Sequence, residues 1–449
     1  MKDLQPFFNP KSILIVGVSR KTYTFSYTLL KNLLEIFYEG KIYILNPNAN
    51  DILGVKSYHR YEDLPEIPEL AVIVLGSKII DNIKKLGELG VKFITIQSEL
   101  RSDLDYTELT KELKELSVKY DITYLGPSMI GIINFNDRFT NSIIPVRQHI
   151  MRANKDTKEG IGVIAQSGGI AGALGWWNPF QRLPLSKVIH LGKSFDINES
   201  DILKFFCKDN TIKVISIFLR EISEELIESV KIIAPKKPIL VFYVGKDEQK
   251  EKDLQKAGGI IVLNYIELYE IAKLFLWCPE PKGSHLGIIG PSSGAIYIIA
   301  KEMRKQKLSL AKLNEGSKKL ILEKVGGSTC KLGNPVDFWP PDKFIGTKIC
   351  GIYKIASHTL LSDKSVDGLL LALEFFIEIE FDFIIFKKIK ELFPDKPIIA
   401  ILIQAETEGA KRVINTASEL KIPVFVNEIE RAVRGYKLLY SYYSKIKKK

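Results

Sequence analysis

The residues best suited to chemistry sit in one short run, GVIAQSGGIAGAL, at positions 162–174. An apolar strand pattern ends at Ala165. Gln166, Ser167, Gly168 and Gly169 follow, ahead of small residues suited to a helix packed closely on a sheet. Glycines let backbone N–H groups converge on one concavity, and a helix start adds partial positive charge. The chemistry implied is capture of an anion, a phosphoryl group or a carboxylate. The plainer alternative is a tight turn in which glycine only permits close packing. A neighbouring acidic run, LGKSFDINESDIL at positions 191–203, favours the anion. Its Asp196, Glu199 and Asp201 precede or open a helix pattern and are able to cap it. Glu199 is also able to orient a titrating group over the glycine turn.

Another turn, the first in chain order, lies near the start, in IVGVSRKTYTF at positions 15–25. Gly17 stands after a strand pattern, and Ser19, Arg20 and Lys21 follow it. In an open α/β sheet this is where a nucleotide or its phosphates bind, and the two cations are placed to meet them. The three spaced glycines of a dinucleotide fingerprint are absent. The alternative is a basic, solvated loop.

Both turns need a parallel sheet behind them. The runs SILIVGV, KIYILNP, LAVIVLG and VKFITIQ are nearly continuous in apolar and β-branched residues, as in strands buried on both faces. Helix-period segments separate them, and the alternation predicts a doubly wound α/β fold. Two boundaries follow: the polar segment 147–160 and CPEPKGSH at 278–285. They give expected domains at 1–146, 160–278 and 285–449. The third opens with LGIIGPSSGAIYIIA, which echoes GVIAQSGGIAGAL.

The 449 residues are 46% hydrophobic and 26% charged, which suits globular domains. No apolar run is long enough to span a bilayer, and the first residues lack a signal-peptide core, so a cytoplasmic protein is expected. Cys207, Cys278, Cys330 and Cys350 are scattered, against a zinc or disulfide framework, and are expected as buried free thiols; no metal ligand set is assigned. The net charge of +11 suits a polyanionic small ligand, an acidic partner or a solvated basic surface. No aromatic and basic interleaving points to nucleic acid.

The ordered set NPKSILIVGVSRK, KIYILNPNANDILGVKSY, YLGPSMIGIIN, VIAQSGGIAGAL, LGKSFDINESDIL, KPILVF and LGNPVDF spans the whole chain. In that combination the chain resembles the α subunit of the NDP-forming acyl-CoA synthetases, the ADP-forming acetate–CoA ligases, archaeal-type relatives of succinyl-CoA synthetase. The resemblance implies a Rossmann-like CoA-binding domain followed by two flavodoxin-like succinyl-CoA-ligase domains. It implies coenzyme A or acyl-CoA as ligand, held near Gly17, Ser19, Arg20, Lys21, Asn46, Pro47, Gly126 and Pro127. It also implies an oligomeric assembly with a separate ATP-grasp β subunit that handles ATP, ADP and Mg. In that family a histidine takes a phosphoryl group from an acyl phosphate and swings it to the partner. The turn matching Gln166–Gly169 steadies the phosphohistidine, and the acid matching Glu199 holds the imidazole.

That histidine is missing. The family's Ser-His-Thr-Gly loop follows the strand matching KPILVFYVG, where this chain reads KDEQKEKDLQKAGG, a solvated helix or loop. Of the five histidines, His190 ends a strand near the glycine turn and is the one candidate substitute. His358 is expected within a helix, His59 and His149 at the surface, and His285 carries no functional signal. The family's glycines after Ser-Arg-Lys are replaced by Thr22, Tyr23, Thr24 and Phe25, whose bulk is expected to crowd the CoA phosphates. Three readings stay open. The first, favoured by the missing loop, is a CoA- or acyl-CoA-binding relative unable to run the phosphohistidine step. The second is an active ADP-forming ligase subunit, making acid, ATP and CoA from acyl-CoA, ADP and phosphate. The third is a nucleotide-binding scaffold without acyl-CoA chemistry.

Overall fold

A computed structural model describes residues 2–75, 78–98, 106–155, 157–177, 182–325, 333–338, 348–374 and 381–447. The expected strands form three sheets. The first contains β1 (Ser12–Val16), β2 (Lys41–Leu45), β3 (Asp51–Ile52), β4 (Val55–Tyr58), β5 (Leu70–Ile73), β6 (Phe93–Ile96) and β7 (Thr123–Leu125), ordered β3-β4-β2-β1-β5-β6-β7. Apart from the β3–β4 hairpin every pairing is parallel. Setting β3 aside, the order is the Rossmann order. β1 and β5 are buried along their whole length, which is why they read as unbroken apolar runs. Leu14, Ala71, Ile73 and Ile94 share one core with Ile83 and Leu86 of the helix Ile79–Leu89.

The second sheet contains β8 (Gly131–Asn134), β9 (Phe139–Thr140), β10 (Gly160–Ala165), β11 (Leu185–His190), β12 (Ile212–Leu219), β13 (Ile239–Tyr243) and β14 (Ile260–Ile261), ordered β14-β13-β12-β10-β11-β8-β9. Its five parallel strands follow the flavodoxin order, and β8 pairs antiparallel with β11. The third sheet contains β15 (His285–Gly290), β16 (Ser309–Leu310), β17 (Val336–Asp337), β18 (Gly368–Leu373), β19 (Ile398–Leu402) and β20 (Val424–Val426). Its path β16-β15-β18-β19-β20 repeats the flavodoxin order, with β17 paired to β15. The echo between the second and third openings therefore reflects a shared topology.

Two segments differ from the expected division. β8 and β9 lie before the polar segment 147–160, yet hydrogen-bond into the second sheet through β11. The helix Glu267–Trp277, expected to close the second domain, belongs to the compact unit of the third sheet. Arg431 and Arg434 of the helix Ile429–Ser441 pair there with its Glu270 and Glu267. The first two sheets together form the other compact unit.

Cys278 is buried, and burial raises its thiol to about 12, while Cys207 and Cys350 are half-buried; Cys330 lies outside the described residues. No helix among the described residues is long and apolar enough to cross a membrane.

Candidate functional site

The first expected turn leaves β1 at the point where the strand order reverses, the usual ligand crevice of an open α/β sheet. Gly17 takes φ +96°, and its N–H donates to Leu45 O at 3.2 Å. Asn46, just past β2, donates from Nδ2 to Val18 O at 2.7 Å and so ties the β2 end to this turn. Pro47 follows it in the chain. The Ser19 amide donates to Ser26 Oγ at 3.0 Å, and the Lys21 amide to Ser19 Oγ at 3.1 Å. Those two amides are spent on shaping the loop. Arg20 and Lys21 are exposed and supply its positive charge.

The helix after this turn begins within the run Thr22–Phe25. Thr24 is the N-cap of the helix Phe25–Glu35, its hydroxyl accepting the Tyr27 amide. Tyr23 is 80% and Phe25 62% exposed, so both rings stand in solvent.

Gly126 and Pro127 follow β7, three strands from β1, about 14 Å away at ordinary strand spacing. They are brought to the second sheet. Lys193 N donates to Pro127 O at 2.7 Å. Gly192 sits at φ +64°, and a Cβ there would lie 2.2 Å from Pro127 O, so only glycine allows this approach.

The second turn also opens at a reversal of strand order, between β10 and β12. Gln166 spans it. Its Oε1 accepts the Arg220 and Glu221 amides at 2.6 and 2.9 Å, and its Nε2 donates to Glu199 Oε1 at 2.9 Å. Glu199 is buried at the first turn of the helix Glu199–Lys208, where Asn198 and Asp201 form a capping box. The acidic run thus splits its duties. Asp201 caps, Glu199 meets Gln166, and Asp196 accepts the Tyr124 amide at 3.1 Å, joining the two sheets. Arg220 and Glu221 escaped the sequence reading because their contribution is backbone N–H, 54 and 55 residues from Gln166.

Ser167 is the N-cap of the short helix Gly168–Ala173, with no side-chain cap bond. The two glycines differ. A Cβ on Gly168 would strike Ile130 Cγ1 at 2.3 Å, so this glycine permits close packing. At Gly169 the space is open.

His190 ends β11 and is 8% exposed. Its Nδ1 accepts the Ile130 amide at 2.8 Å, and burial lowers its pKa to about 4. The ring is neutral near pH 7, and a neutral imidazole that accepts at Nδ1 carries its proton on Nε2. Neither nitrogen then offers a lone pair for attack without breaking the Ile130 bond.

The run after β13 forms the helix Glu248–Lys256, capped by Asp247, whose Oδ1 accepts the Lys250 amide at 3.0 Å. Lys250 Nζ donates to Ile222 O at 2.9 Å, and Leu254 is the helix's buried residue, so this solvated helix is fastened to its sheet. His358 lies inside the helix Lys348–Ser362 against Phe393, and His59 and His149 are exposed.

Residues 11–134 match the family model of a CoA binding domain, and residues 158–274 that of a succinyl-CoA ligase like flavodoxin domain. The chain is 26% identical to the α subunit of acetate–CoA ligase (ADP-forming) II of Pyrococcus furiosus, over 97% of each chain. It is 27% identical to acetate–CoA ligase (ADP-forming) of Methanocaldococcus jannaschii over 75% of its own length, but spans only 49% of that protein. In fold it is similar to the dinucleotide-forming acetyl-coenzyme A synthetase 1 of Ca. Korarchaeum cryptofilum, with TM-score 0.83 and 24% identity over 98% of this chain and 97% of that one.

Proposed function

We propose that this chain, similar over nearly its whole length to an α subunit of ADP-forming acetate–CoA ligase, binds CoA or acyl-CoA and does not run the phosphohistidine step. The carrying observation is the helix Glu248–Lys256, which directly follows β13 where the family's histidine loop belongs. Relay between distant sites needs a mobile nucleophile. No histidine stands between Phe242 and Leu263, and His190 is held rigidly through Nδ1.

CoA phosphates meet Arg20 and Lys21 beyond β1. Gly17, Ser19, Asn46 and Pro47 shape that loop, and the ligand's reactive end reaches toward Gly126 and Pro127. The turn Gln166–Gly169 holds an anion at its open side by Gly169, with Gln166 and Glu199 fixing its shape. ATP, ADP and Mg belong to an ATP-grasp partner in an oligomeric assembly. A second reading, an active ligase subunit, is favoured by the intact Gln166–Glu199 pair.

The two readings separate on phosphate-dependent release of CoA thiol from acetyl-CoA and on acid-labile labelling of the protein by radioactive phosphate. The expected result is neither. Label on a histidine would establish the active reading.

A further inference from the structure

The segment Gly126–Ile130 is the chain's passage from β7 of the first sheet to β8 of the second. It is held on both sides, and the Ile143 amide also donates to Ile130 O at 2.9 Å. The Ser128 amide donates to Ser98 O at 3.0 Å on the first-sheet side. On the second-sheet side the Lys193 amide donates to Pro127 O at 2.7 Å, and the Ile130 amide donates to His190 Nδ1 at 2.8 Å. Gly131 then pairs with His190 in the β8–β11 ladder. The same spot touches the glycine turn. A Cβ on Gly168 would lie 2.3 Å from Ile130 Cγ1 and 3.4 Å from His190 Cε1, and one on Gly172 would lie 3.3 Å from Ile130 Cγ2.

We propose that His190 is a positioning residue, clamping the Gly126–Ile130 passage to the end of β11 and so setting that loop against the Gln166–Gly169 turn. The imidazole acts only as a hydrogen-bond acceptor. Without it a part-buried backbone amide would lose its partner in the protein, which is costly. Ile130, locked by the bond, seats its side chain over Gly168. The clamp itself stands on geometry; its consequence for ligand binding rests on the CoA reading above.

Side-chain geometry gives a sharp test. Asparagine places an acceptor where Nδ1 stands, one atom beyond Cγ. Glutamine places it near Nε2, and phenylalanine offers none. Hydrogen exchange read by mass spectrometry on peptides covering 126–133 reports the clamp directly, and calorimetric titration with CoA reports its consequence. In His190→Phe and His190→Gln, exchange at Ile130 should speed at least tenfold, and CoA should bind about tenfold more weakly. In His190→Asn both should stay within about twofold of the unaltered chain, a rescue that general packing does not explain. An Asn variant that behaves like Phe, or wild-type exchange in the Phe variant, overturns the clamp. If the Phe variant fails to fold, the comparison of Asn with Gln decides. If the unaltered chain binds no CoA, the functional reading falls, and the exchange measurement still judges the clamp.

Discussion

At the scale of single residues, the site is built from groups that are already satisfied. Gln166 uses both ends of its amide, and His190 uses the one lone pair its neutral ring has to give. The histidine has a measurable signature. Its pKa falls from 6.5 to about 4 on folding because burial penalises the charged ring. Between those values the unfolded chain binds more protons than the folded one, so stability is fully present above about pH 6.5 and is lost as pH falls toward 4. The loss by pH 4.5 is about 2–3 kcal/mol. Urea unfolding at pH 7 and pH 4.5 should show His190→Asn losing less stability than the unaltered chain by about that amount. An equal loss in both would mean that His190 titrates normally.

At the scale of elements, part of the basic excess closes helix ends. Lys237 Nζ donates to Phe206 O and Asp209 O at the end of the helix Glu199–Lys208. Lys396 does the same for Leu361 O and Asp363 O, and Lys390 for Leu420 O and Lys421 O. Burial pushes each ammonium's pKa down, yet carbonyls at a helix C-terminus favour a cation. Lys237→Met should cost about 2 kcal/mol, read as a lower urea midpoint with unchanged slope. The pair Arg431–Glu270 should behave differently. Removing either partner alone leaves a buried charge and should cost about 3–5 kcal/mol, while Arg431→Met with Glu270→Met should recover most of it. A double-mutant cycle in urea checks this; additive losses would contradict it. The strands were legible because parallel strands buried on both faces must be continuously apolar, as in SILIV and LAVI. The membership of β8 was not, because an antiparallel strand added at a sheet edge lies next in sequence to the sheet it leaves. The partners of Gln166 were hidden for a related reason: backbone amides carry no sequence signal.

At the scale of the whole molecule, three α/β sheets in the Rossmann and flavodoxin orders recur with a loop or turn at each reversal of strand order, and the chemistry differs among them. The first turn carries exposed charge, and the second carries a packed, internally bonded frame. On the proposed reading, the helix Glu248–Lys256 leaves the first turn as the surface that meets the ligand. The most direct measurement is calorimetric titration with CoA and acetyl-CoA of the unaltered chain and of Lys21→Glu. Micromolar binding is expected, weakened at least tenfold when Lys21, the cation proposed to meet the phosphates, becomes an anion. No heat of binding at millimolar ligand, or equal affinity in the two proteins, would contradict it.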